Sequence, residues 1–159
     1  KHLGFDSQLL REVGVGALLH DIGAINVPIN ILTKEGELTG EEFNVIKGHV
    51  QYGRSILEKT EGITETSIIT AYQHHERSDG SGYPNGLKED RISYTGQAIA
   101  IVDVYDALTT KRCYRRKIAP TQSLQMIYEW SDTQWVHDKF FGNPVRHKSV
   151  SPRSLPIYC

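Results

Sequence analysis

Every segment of this chain that carries a periodic apolar pattern reads as a helix, so the sequence predicts an all-α domain. Three observations carry that prediction. Apolar residues recur at the three-to-four-residue spacing that lines one helix face. Capping residues stand ahead of the apolar runs, including a capping box at Thr39 with Glu42 three residues on. Glycine and proline fall between the runs, where a chain turns.

Asp6 is placed to cap the first helix, whose apolar stripe is Leu9, Leu10, Val13, Ala17 and Leu18. Gly23 suits its C-terminal end, which puts His20 and Asp21 in the last turn. Residues 25–32 contain Pro28 and read as a connector with one helical turn. The capping box opens a long helix to about Lys59, striped by Phe43, Ile46, Val50, Gly53 and Leu57, with His49 beside the stripe. Glu61 and Gly62 interrupt the pattern. It resumes from Thr64 to Arg77 through Ile68, Ile69, Ala71 and Tyr72, with His74 and His75 closing the helix.

A glycine-rich loop then runs to about Tyr94. Gly80, Gly82 and Gly86 permit tight turns, and Pro84 stiffens the backbone, so the loop is predicted to hold Tyr83 near the two histidines. Residues 98–108 are apolar nearly all round and predict a buried helix. Asp103 lies inside it, where an unpaired carboxylate costs several kcal/mol, so a metal or a basic partner is expected. Asp106, one turn on, shares its face and is a candidate for orienting a ligand or an arginine. In the basic run 111–117, Arg112 and Arg115 are spaced to clamp one phosphate. Pro120 opens a short helix with Leu124, Ile127 and Tyr128 as its apolar side. Residues 133–141 predict a last helix. Residues 142–159, with Pro144, Pro152 and Pro156, predict an irregular tail.

At 159 residues the chain predicts one domain over 1–141 and the tail beyond it. A net charge of -1 supports neither a nucleic-acid polymer nor a membrane surface as partner. No apolar run approaches the ~20 residues of a membrane span, and no signal peptide pattern is present. Two cysteines, Cys113 and Cys159, without a CxxC pattern, suit a reducing cytoplasm. The chain enters a helical pattern almost at Lys1 and reads as a piece of a longer protein.

His20, Asp21, His49, His74, His75 and Asp103 each fall on or at the end of a predicted helix. Imidazole and carboxylate without thiolate suit iron, manganese, zinc or nickel in a catalytic site rather than structural zinc. Six ligands are too many for one open catalytic ion and suit two ions about 3.5–4 Å apart, with Asp21 as the natural bridge.

The order His20-Asp21, His49, His74-His75, Gly82-Tyr83-Pro84 and Asp103 resembles the HD-GYP domain, a branch of the HD metal-dependent phosphohydrolases. The run HHERSDGSGYPNGL is close to that branch's signature, and the resemblance covers about Phe5 to Trp130. It implies an HD-domain helical bundle with a glycine-rich GYP loop. It also implies hydrolysis of the bacterial second messenger cyclic di-GMP, to pGpG or GMP, at two metals, typically iron or manganese. In the family the positions of the six residues above bind metal. Those of Arg112 and Arg115 contact the substrate phosphate, and Tyr83 sits at the phosphate end of the pocket. His20, Asp21 and Tyr83 are therefore the expected catalytic residues, with Tyr83, Arg112, Arg115 and Asp106 expected at the substrate. Regulatory or diguanylate cyclase domains are the expected partners.

Three departures from the family pattern stand out. Ala24 occupies the position of a phosphate-binding lysine after His-Asp-Ile-Gly. A further helix that supplies metal ligands precedes the position of Lys1 in the family and is missing here. The family's Phe-Asp-Pro-like start of the terminal helix is not evident around Trp135 to Asp138. The alternative to an enzyme is a catalytically degenerate domain that binds cyclic di-GMP as a sensor or interaction module. A phosphohydrolase for another nucleotide is a further rival, which the Gly-Tyr-Pro loop disfavours.

Overall fold

The structure is a computed structural model that describes residues 5–110 and 117–130. Among them the chain forms helices α1 (Ser7–Leu19), α2 (Ile29–Leu32), α3 (Gly40–Leu57), α4 (Glu65–Tyr72), α5 (Tyr94–Thr109) and α6 (Pro120–Trp130). Two 3-10 turns, Ile22–Asn26 and Glu89–Arg91, lie between them. The only extended pairing among the described residues is a single bridge between Asp79 and Lys88. The domain is all-α, as the sequence predicts.

Local chemistry sets most helix starts. The Asp6 carboxylate accepts the Leu9 N–H at 2.8 Å. Thr39 and Glu42 close both halves of the capping box. Thr64 and Ser93 cap α4 and α5 through their hydroxyls, which accept the N–H groups of Ser67 and Gly96.

Packing decides where helices stop and which faces they bury. α1 ends at Leu19, not near Gly23. The chain then recoils into the Ile22–Asn26 turn, which lies on α3. Gly23 serves that approach rather than capping α1, because a Cβ on it would collide with the His49 carbonyl and the Gly53 nitrogen. α4 ends at Tyr72, so His74 and His75 lie in the turn beyond the helix rather than in it. α5 is not buried all round, since Val102 is 59% exposed. Its inner face packs Ala100, Val104 and Leu108 against Ile127 and Trp130 of α6. α6 therefore buries Ser123, Ile127 and Trp130 and leaves the expected Leu124 exposed. A second cluster of Leu57, Ile68 and Ala71, flanked by Leu19 and Ile63, ties α3 and α4 to the end of α1. Complete burial of a side chain such as Leu108 or Ile127 contributes roughly 1.5–3 kcal/mol. The expected helix over 133–141, the tail 142–159, and Arg112 and Arg115 lie outside the described residues.

Gly23→Ala should lower the unfolding free energy by about 2 kcal/mol or more, because the backbone of α3 cannot yield to an added methyl. Urea denaturation measures this, and an unchanged midpoint would contradict the tight approach.

Candidate metal centre

Four parts of the chain deliver the candidate ligands to one place. His20 and Asp21 follow α1, His49 comes from α3, His74 and His75 follow α4, and Asp103 comes from α5. Asp21, His49, His74 and His75 each offer a ligand atom, and these atoms lie within 4.8 Å of one another. His20 and Asp103 lie next to this group. His20 Nε2 is 3.2 Å from Asp21 Oδ2 and 3.8 Å from Asp103 Oδ1. Asp21 Oδ1 stands 3.2 Å from His49 Nε2 and 3.7 Å from His74 Nε2. One oxygen of Asp21 thus faces His20 and the other faces His49 and His74.

Three histidines are oriented in the same way. Nδ1 of His20, His49 and His74 bonds the backbone carbonyl three residues earlier, on Ala17, Ile46 and Ala71. A carbonyl can only accept, so each Nδ1 carries a hydrogen, and in the neutral ring Nε2 presents its lone pair. His49 Nε2 and His74 Nε2 then approach to 3.4 Å with neither able to donate in the neutral form. His75 Nε2 is buried without a hydrogen-bond partner among the described residues. Converging lone pairs, an orphaned imidazole nitrogen and a shared carboxylate form a donor set that fits a divalent metal.

The electrostatics agree with that fit. Desolvation raises the Asp21 carboxyl, but the imidazoles beside it, His20 foremost, outweigh it and hold the group well below the usual carboxylate range. Burial lowers His20, yet its bond to Asp21 and the charge of Asp21 prevail and raise it to about 9. Burial lowers His74. His75 falls further, through burial and then the neighbouring His74 and Arg77. His74 and His75 are thereby kept neutral, the form of imidazole that binds metal.

The glycine loop is fastened directly to the ligand-bearing turn. Tyr83 N–H donates to the His75 carbonyl at 3.1 Å. The Tyr83 ring stacks on the His75 ring, 4.5 Å between centres and 28° between planes. A Cβ on Gly82 would run into the backbone of residues 75–77, so only glycine allows the loop to lie this close. The Tyr83–Pro84 peptide is cis.

Glu76 had no role in the sequence reading, yet it anchors the loop. It is 1% exposed, and its two oxygens accept the N–H groups of Asn85 and Leu87, each at 2.8 Å. Its signal in the sequence was an acid between two histidines and a turn rich in amides that need acceptors. Asp106 is exposed and accepts the Thr110 hydroxyl at 3.1 Å, so it does not share the buried setting of Asp103. Phe43, expected in the helix stripe, instead meets Tyr83 edge to face at 6.2 Å.

Comparison with known proteins follows this geometry. A family model described as the HD domain matches residues 1–138. A cyclic di-GMP phosphodiesterase of Pseudomonas aeruginosa is 37% identical over 131 residues, which is 82% of this chain and 32% of that protein. A cyclic di-GMP phosphodiesterase of Thermotoga maritima is 41% identical over 116 residues, 72% of this chain and 32% of that protein. A 3'3'-cGAMP-specific phosphodiesterase of Vibrio cholerae is 43% identical over 130 residues, 81% of this chain and 22% of that protein. The chain spans about a third or less of the length of these curated relatives.

Glu76→Gln should turn one acceptor into a donor facing an amide and cost about 1–3 kcal/mol. Amide hydrogen exchange at Asn85 and Leu87 should accelerate well beyond that of the α3 amides. Equal protection in both proteins would show that the carboxylate does not hold the loop.

Proposed function

The chain belongs to the HD-domain family, HD-GYP type, and from that premise we propose that it is a metal-dependent phosphodiesterase that hydrolyses cyclic di-GMP to pGpG or GMP. The observation that carries the reading is the four-residue group Asp21, His49, His74 and His75, which has the donor chemistry of a divalent metal site. Our finer reading is a pair of ions, iron or manganese, with zinc or nickel as alternatives.

In this reading Asp21 would help to hold both ions. His49, His74, His75, His20 and Asp103 would supply the remaining ligands. When bound, such ions supply an activated water and positive charge for the phosphoryl oxygens. The chain's own residues do the remainder. The carbonyls of Ala17, Ile46 and Ala71 hold three imidazoles in one tautomer. Tyr83, fixed against His75, lines the phosphate end of the pocket. Arg112 and Arg115 neutralise charge growing on the phosphoryl oxygens. Asp106 orients the substrate or one of these arginines. Residues 1–141 form the catalytic domain, and regulatory or diguanylate cyclase domains are its partners. Among the described residues no helix is long and apolar enough to cross a membrane, and the cytoplasm is the proposed site of action.

A second substrate has its own support, since the Vibrio cholerae relative at 43% identity is named for 3'3'-cGAMP. Both molecules are cyclic dinucleotides. Turnover of each by iron- or manganese-loaded protein, followed by chromatography of the products, tests the proposal and ranks the substrates. Chelation should stop the reaction. Asp21→Asn should lower both bound metal and turnover, because it weakens a ligand that both ions share.

Ala24 bears on rate. A lysine there adds a positive charge just beyond the His20-Asp21 turn. Ala24→Lys should raise kcat about ten- to a thousand-fold, equivalent to roughly 1.4–4 kcal/mol, by stabilising transition-state charge. If parent and variant both bind cyclic di-GMP without turnover, the sensor reading replaces the enzyme.

A further inference from the structure

Lys47 lies on α3, two residues before His49, and is half-buried. Its Nζ stands 4.5 Å from the centre of the Phe43 ring and 5.6 Å from that of Tyr83. The two rings meet at 89° and form a corner around the ammonium. Aromatic faces attract a cation electrostatically but leave its strong donors unspent. Other cations on or beside this helix are neutralised by carboxylates. Lys34 pairs with Glu42 at 2.6 Å, and Arg54 with Glu58 at 2.7 Å. No carboxylate among the described residues pairs with Lys47 in this way.

We propose that Lys47, steadied by Phe43 and Tyr83, binds a substrate oxyanion outside the metal cluster, the second phosphodiester of a cyclic dinucleotide. The inference rests on the cyclic-dinucleotide reading above. Such a substrate carries two negative phosphodiesters, and the metal centre can address only one at a time. The other needs a cation elsewhere or must keep its water. Tyr83 relates the two places, because its ring stacks on His75 and also lies within reach of the Lys47 ammonium. A compact cyclic molecule can span that interval. Lysine suits the task as a point charge with three rotatable donors.

The competing role is a mechanical one, in which Lys47 only pins the Tyr83 loop to α3. Lys47→Met separates the two, since it keeps an unbranched stem on the rings and removes the charge. For an oxyanion site, KM for cyclic di-GMP should rise about ten- to a hundredfold, the scale of one charge-assisted hydrogen bond. kcat and metal content should change little. KM for bis(p-nitrophenyl) phosphate, which has one phosphodiester, should move far less. Calorimetric titration of metal-stripped protein with cyclic di-GMP should show the same weakening without turnover, and Lys47→Arg should restore most of the affinity. An unchanged KM in Lys47→Met overturns the inference. So does an equal fall in kcat for both substrates together with lost metal, which identifies a loop pin. If the unaltered protein neither binds nor cleaves cyclic dinucleotides, the functional reading fails first, and that failure is visible before any variant is made.

Discussion

The approach of His49 Nε2 to His74 Nε2, with Asp21 Oδ1 beside both, is the constraint on which this structure turns. Lone pairs and a carboxylate oxygen repel when nothing positive lies among them. The carbonyls bonded to Nδ1 remove the easiest escape, which is to rotate a ring and present its N–H instead. Burial removes another, since neutral imidazole is favoured deep in the site and a compensating proton is not. A divalent cation held among these atoms would offset that repulsion.

Helix ends contribute to that constraint as much as side chains do. The last carbonyls of a helix have no N–H partner within it. Ala17 lies in the final turn of α1, and Ala71 in the final turn of α4. Their carbonyls accept from His20 and His74, so the same bonds finish two helices and aim two imidazoles. His49 differs because it lies within α3, and Ile46 accepts from its ring in mid-helix. Two metal-facing groups thus arrive from chain that has just left a helix, and one from chain still in it. That mixture lets rings from separate helices meet at one point without their backbones colliding.

Features set by neighbouring residues were legible in the sequence. Asp6 and the Thr39–Glu42 box mark their helices because a cap is a bond across three residues. Asp103 was legible because a carboxylate inside an apolar run requires a partner, and it is buried 3.8 Å from His20. Features set by distant chain were not. Gly23 looks like a helix-ending glycine until α3 is seen to lie against it. The end of α4 was misplaced because polar Gln73 and the two histidines give no stop signal such as glycine or proline. Leu124 has the right spacing for a core position, but α5 meets α6 on the side of Ile127 and Trp130. Phe43 reads as a stripe residue, and only the folded loop brings Tyr83 to it and to Lys47.

Glu76 joins these levels. It follows His75 directly in the chain, and its carboxylate holds the two amides just past Pro84. A single peptide segment therefore carries a candidate metal ligand on one side and the anchor of the Tyr83 loop on the other. The Tyr83 N–H to His75 carbonyl bond and the stacked rings add two more ties over the same few residues. With three attachments so close together, Tyr83 cannot shift appreciably without disturbing the His75 ring. Movement of His75 in turn reaches the shared cluster through His74, whose ring centre is 4.0 Å away. The Tyr83 loop and the His75 ring are thus mechanically linked, and the link runs through rigid neighbours rather than through a hinge. A loop rich in glycine is usually free to adapt. Here its glycines do the opposite, allowing the backbone to lie flat against the ligand turn so that the hydrogen bonds and ring contacts can close.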